Sequence, residues 1–134
     1  MIRIIRTLAA AGLMLTAIPA LAADQLAQRG ETALAKRLEG RIAGKPVSCL
    51  TLRDARASEI FDRTAIVYES GSKLYVNRPT DASSLDNDDI LVTRVYGSQL
   101  CRSDPINLIS RGGGFMHGFV ILNDFVPYTK PPKG

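Results

Sequence analysis

The sequence predicts an α+β domain that is mostly β, with an N-terminal helix followed by a curled antiparallel sheet or small barrel of about six short strands. Three observations predict it. Leu26, Leu34, Leu38 and Ile42 recur at multiples of four, the spacing of a single helical stripe. After Pro46 the apolar period changes to two, and strand-like runs alternate with Gly, Ser, Asn and Asp clusters, as in hairpin-linked sheets. No helical stretch falls between those runs, so a parallel nucleotide-binding sheet with crossover helices is not predicted.

The chain divides into four parts. Residues 1–23 read as a secretory signal peptide: Arg3 and Arg6 form a basic tip, residues 8–18 an apolar stretch, and Ala20-Leu21-Ala22 a small-residue exit. That stretch is shorter than the ~20 residues a spanning helix needs, and Pro19 interrupts it, so cleavage after Ala22 or Ala23 is expected, with no stable membrane insertion afterwards. No cysteine stands close enough behind it to be acylated. Residues 24–45 are predicted as an amphipathic helix, opened by Asp24 and closed by Gly44 and Pro46, with Gly30 and Gly40 each weakening it by ~1 kcal/mol. Residues 46–127 form the β-rich domain, and 128–134, with Pro131-Pro132, a flexible tail.

Within the β-rich part, residues 47–52 make a first strand carrying Cys49. Residues 64–69 and 73–77 form a hairpin about Ser70-Gly71-Ser72, with Ile66 and Tyr68 on one face and Ala65 and Val67 on the other. Neither face is polar, which predicts cover on both sides. Residues 79–89, containing Asp81, Asp86, Asp88 and Asp89, read as a surface loop. Residues 90–96 and 99–102 pair about Gly97-Ser98, and residues 106–109 and 115–122 about Arg111-Gly112-Gly113-Gly114.

Loss of the leader leaves 15 of the 17 Lys and Arg against 13 Asp and Glu, a net charge of +2 with both signs interspersed. That is not the clustered basic face of a nucleic-acid binder, so no nucleic-acid partner is expected. The two cysteines, Cys49 and Cys101, have no C-x-x-C spacing and only one histidine to join them in a metal site, so a structural disulfide is expected. Closing that loop stabilises by ~4 kcal/mol on the chain-entropy model.

The residue types for most chemistries are missing. His117 is the only histidine; it is placed in a strand on one face with Phe115, Phe119 and Ile121, with Met116, Val120 and Leu122 opposite, and reads as a half-buried structural residue. A serine nucleophile would need it as base, and no G-x-S-x-G elbow accompanies it. Asp86-Asn87-Asp88-Asp89 lacks the alternate ligands, glycine and distal glutamate of an EF-hand. Gly112-Gly113-Gly114 leads into a strand, not the helix a phosphate cradle requires. No cofactor and no metal site is predicted. Paired carboxylates drawn from Asp54, Asp62, Asp104 and Asp124 remain the one catalytic arrangement open to the fold.

The runs Val47-Ser48-Cys49-Leu50, Ile60-Phe61-Asp62-Arg63-Thr64-Ala65-Ile66, Tyr75-Val76-Asn77, Gly97-Ser98-Gln99-Leu100-Cys101 and Gly118-Phe119-Val120 resemble a family of small secreted proteins of unknown function from Gram-negative proteobacteria. The resemblance covers most of the mature domain. It implies a periplasmic address and a disulfide-braced β-rich domain, and it brings no activity or functional residues.

The expectation is therefore a periplasmic or secreted, non-catalytic module that binds an envelope protein or envelope component. Tyr68, Tyr75 and Tyr96, with Tyr128, are its candidate contact residues. The alternatives are a small envelope hydrolase using paired carboxylates and a small-ligand binder with an apolar pocket inside the sheet. Carboxylates lining one cleft would favour the first.

Overall fold

The structure, a computed structural model, describes residues 19–133, so residues 1–18 of the predicted leader lie outside it. The described residues are α+β and mostly β: one helix, α1 (Pro19–Arg37), followed by ten short strands in three antiparallel sheets that do not close into a barrel.

The largest sheet holds β1 (Ile42–Ala43), β10 (Phe125–Thr129), β5 (Lys73–Asn77), β4 (Ala65–Ser70) and β3 (Ala57–Phe61), in that order. β2 (Cys49–Thr51) pairs with β7 (Gln99–Cys101), and a three-stranded sheet runs β6 (Asp89–Thr93), β8 (Pro105–Ser110), β9 (Met116–Ile121). The large sheet is the middle layer. One of its faces, carrying Phe61, Ala65, Val67, Leu74 and Val76, packs under Leu34 of α1. The other, carrying Ile60, Ile66, Tyr68 and Phe125, packs against Leu50 and Leu100 of the two-stranded sheet and Ile106, Leu108 and Val120 of the three-stranded one. Period-two alternation sends successive residues of β4 to opposite cores, so four in a row are buried, as the two apolar faces of that strand predict.

Several boundaries differ from those the sequence predicts, each for a physical reason. The helix ends at Arg37, because Gly40 takes a left-handed φ of 74° and turns the chain; Ile42, the apparent next member of the leucine stripe, instead pairs with Thr129 in β1. Asp24 lies inside the helix α1 (Pro19–Arg37) and does not open it. Tyr128 and Thr129 belong to β10, so the predicted tail begins inside a paired strand. β6 does not pair with β7 about Gly97-Ser98; it pairs with β8, while β7 is taken by β2 in a register that sets Cys49 opposite Cys101.

That register seats the disulfide. The two Cα atoms are 4.0 Å apart, and the Cys101 N–H donates to the Asp104 carboxylate at 2.7 Å instead of to Cys49. This is the closely spaced, non-hydrogen-bonded antiparallel position. Cys49 and Cys101 are bridged as predicted.

Gly30 explains how α1 seats. It is buried on the same stripe as Leu34, and a Cβ there would overlap the Asp62 carbonyl oxygen and Thr64 Oγ1. Thr64, itself buried, donates to the Asp62 and Ala27 carbonyls at 2.8 and 3.3 Å. Arg37 then ties the helix end to Glu59 at 3.1 Å and Glu69 at 2.8 Å, on β3 and β4.

Candidate functional site

The large sheet ends on β3 and the three-stranded sheet ends on β6, and among the described residues neither strand has a second neighbour. Both line one cleft of about 690 Å³, with α1 as its third wall. Ser58 through Phe61 contribute four consecutive residues and Asp89 through Leu91 three. Consecutive residues of both parities are what a strand presents along its edge, since a strand seen face-on offers alternate residues. The cleft is therefore a gap between two open edges.

One end of the gap is latched. Asp62, just past β3, accepts the Asn87 N–H at 2.7 Å and the Asn87 side-chain amide at 3.2 Å, while the Arg63 N–H donates to the Leu85 carbonyl at 3.0 Å. The opposite walls carry cations, Arg29 on α1 and Arg111 in the β8–β9 turn. Arg111 pairs with Asp88 at 3.4 Å. Arg29 makes no ion pair among the described residues.

Asp89 is the unusual group in this cleft. It opens β6 with its side chain only 4% exposed, and Oδ1 lies 2.7 Å from Nε2 of His117. Oδ2 is equally buried and accepts no hydrogen bond among the described residues. An ionised carboxylate has about four acceptor positions, and leaving a buried one unmet costs about 1–3 kcal/mol. Asp89 therefore does not belong to a solvated surface loop, where the sequence places it. Inward parity with Leu91 is the signal that identifies it.

His117 reaches Asp89 because of a bulge. The register of β9 on β8 shifts between Leu108, opposite Gly118, and Ile109, opposite Met116, leaving His117 as the extra residue. The alternation predicted for this strand is thereby broken. Met116 and Phe119, both 60% exposed, face outward with Ile90 and Val92, while His117 turns to the inner side with Gly118 and Val120. Beyond the Asp62–Asn87 latch, His117 lines a second hollow of about 430 Å³ with Ser84. It hydrogen-bonds no hydroxyl among the described residues, so the pair comes without a placed nucleophile.

The other candidates separate. Asp54 accepts the Thr51 and Ser70 hydroxyls, Asp62 holds Asn87, Asp104 caps the Cys101 N–H, and Asp124 faces Arg102 at 3.5 Å. The four carboxylates staple four different turns and do not converge. Asp81 and Asp86 likewise accept N–H groups two residues on, from Ser83 and Asp88. Tyr68 is 3% exposed, edge-on to Phe125 with ring centroids 5.8 Å apart, so it is a core residue and not a surface contact. Tyr75 is half-buried beside it, and Tyr96 is fully exposed in the segment after β6. Neither lines the β3–β6 cleft. The space between the sheets is occupied by Ile66, Tyr68, Ile106, Leu108 and Phe125.

No family model, curated protein or solved structure matches the chain.

Proposed function

We propose that the chain is an exported, non-catalytic binding module of the cell envelope, and that it takes an extended segment of a partner protein into the gap between β3 and β6 by strand addition. The observation that carries this reading is that two unpaired strand edges from different sheets face one cleft. A free edge presents unpaired N–H and C=O groups, and an extended peptide completes them through main-chain hydrogen bonds while its alternate side chains enter pockets. The cleft volume lies within the range of sites that enclose a specific ligand group.

Export is supported by the pattern of the first 23 residues and by the disulfide, which suits an oxidising compartment. Among the described residues no helix is long and apolar enough to cross a membrane. Ala20, Leu21 and Ala22 are exposed, and cleavage after Ala22 or Ala23 leaves in place Gly30 and Leu34, through which α1 docks. The N-terminal mass of the protein recovered from a periplasmic fraction tests this; a chain retaining residues 1–22 overturns it.

Strand addition is tested by placing a photo-crosslinking amino acid at Ser58, at Ile90 and, as a control, at exposed Lys73. In the native envelope the first two are expected to capture one shared partner through one segment of it, and Lys73 to capture none of it. Equal capture from all three positions, or capture from none, refutes the reading.

A further inference from the structure

We infer that the outer face of the three-stranded sheet is an interface between two copies of this chain, which stack face to face about a two-fold axis at Asn107. The inference stands apart from the strand-addition reading, since β3 belongs to a different sheet.

The register of the sheet builds this face. Ile109 on the central strand β8 lies between Ile90 on β6 and Met116 on β9, and Asn107 lies between Val92 and Phe119. Residues directly opposite one another in antiparallel strands share a face, with Cβ atoms about 5 Å apart, so these side chains form two adjoining rows. A third row, Pro105 opposite Ile121, continues them. None of these positions carries a charge, and the face is left open: Met116 and Phe119 are each 60% exposed, Ile90 43% and Val92 37%. The extra residue at His117 keeps the face apolar, because without it Met116 would turn inward and the histidine outward.

Area sets the kind of occupant. A phenylalanine presents about 200 Å² when fully exposed, and at these exposures the three rows together offer about 600 Å² of largely apolar surface. That is the upper end of what a monomer leaves bare, about 300–600 Å². Two such faces bury about 1,200 Å² between them, the lower end of a specific interface. The area therefore fits a reversible dimer.

The face also matches itself. Asn107 is the one polar side chain of the three rows and stands in the middle row of the central strand. Where identical patches meet about a two-fold axis, the residue at their centre meets its own copy, and a carboxamide, being both donor and acceptor, bonds a second carboxamide. Sheets with the same hand of twist stack with their strands within about 30° of each other. The net charge of +2 on the mature chain opposes this only weakly. A bilayer is a poorer fit, since attraction to anionic lipid needs about 4–8 basic residues together. At the ends of β6 and β8 the cations are Arg94 and Arg111, and Arg111 is paired with Asp88 at 3.4 Å.

Sedimentation equilibrium on the processed, disulfide-bonded chain is expected to show monomers and dimers exchanging in the micromolar range. Dilution is expected to move the amide NMR signals of Val92, Asn107 and Phe119 and to leave Ser58 in place, a readout on unmodified protein that no folding defect can mask. Asn107→Asp and Asn107→Lys each set like charges together at the axis, and each is expected to weaken the dimer at least about tenfold. An equimolar mixture of the two is expected to restore it, which also shows that both variants fold. A chain that stays monomeric, dilution shifts confined to other surfaces, or variants that dimerise as the wild type does would overturn the inference. Two monomeric variants whose mixture stays monomeric overturn the axis at Asn107. Monomers that instead bind vesicles of anionic phospholipid, and lose that binding in Phe119→Lys, assign the face to a lipid surface and overturn the dimer.

Discussion

Replacing Gly30 by alanine tests the helix docking because two principles predict opposite signs. By helix propensity alone, alanine in mid-helix is better than glycine by about 1 kcal/mol. The structure overrides this. A Cβ at Gly30 would overlap the Asp62 carbonyl oxygen and Thr64 Oγ1, and neither can yield cheaply. The Asp62 carbonyl is backbone, flanked by buried Phe61, and the Asp62 carboxylate is committed to Asn87; Thr64 is buried and bonded to two carbonyls. The helix must therefore retreat. Retreat exposes Leu34, now 1% exposed, whose full burial contributes about 1.5–3 kcal/mol, and loosens the Thr64–Ala27 hydrogen bond, about 1 kcal/mol more. Against the propensity gain, the net expectation is a loss of about 2 kcal/mol, which for a domain of this size lowers Tm by about 10 °C. Urea denaturation with the disulfide intact measures it. Gly112→Ala, where a Cβ meets nothing within 4 Å, is the control and should shift stability by less than about 0.5 kcal/mol. A Gly30→Ala protein as stable as the wild type, or more so, would refute the docking argument.

Three further outcomes follow from single groups. Removing the disulfide with Cys49→Ala and Cys101→Ala together should cost up to about 4 kcal/mol, since the bridge spans 52 residues; an unchanged urea midpoint would show that the β2–β7 pairing needs no crosslink. Tyr68→Phe should be neutral or stabilising by up to about 1 kcal/mol, because the hydroxyl is buried with no partner among the described residues and burial pushes its ionisation well above the ordinary phenol range. A clear loss of stability would mean that the hydroxyl is bonded. The Asp54 carboxyl is held below its ordinary value by the Ser70 hydroxyl first, then by Thr51, with Arg53 and Lys73 nearby. A depressed folded-state value contributes stability above the unfolded value, about pH 3.9, and that stability is lost as pH falls through the folded value. Carbon NMR titration should place Asp54 below the ordinary aspartate midpoint, and Asp54→Asn should flatten the acid limb of the stability curve; titration at or above that midpoint refutes the geometry.

The parts of this fold that are legible in the sequence are those where local chemistry and tertiary structure agree. The β4–β5 hairpin is read correctly because Gly71, at φ 59°, supplies the turn that both strands need. β3 is missed because Ala57, Ser58 and Glu59 are exposed and show no alternation, which is what being an edge strand does to a sequence. Gly97-Ser98 gives a sound local hairpin signal that loses to a non-local pairing, β7 on β2, with Cys49 and Cys101 in register. The helix reads too long because Ile42 keeps the four-residue spacing after Gly40 has already turned the chain.

The candidate site is harder to read for a related reason: each of its determinants is a departure from the regular pattern. Asp89 looks like the last residue of an acidic loop, and only pairing on β8 makes it the first residue of a strand with its side chain inward. His117 follows the alternation of Phe115 and Phe119 until one extra residue in β9 reverses its face, and no residue type in that run announces the bulge. Gly30, which by propensity only weakens a helix, is the position that lets α1 approach Asp62 and become the third wall of the cleft. Regular patterning builds the three layers, whereas the cleft wall includes a buried acid and a mid-helix glycine, the acid held by an irregular histidine. Each of the three departs from what local preference favours; Gly30 and Asp89 border the gap between β3 and β6, and His117 bonds Asp89 from the neighbouring hollow. Their proximity supports the proposal that the gap is a binding site.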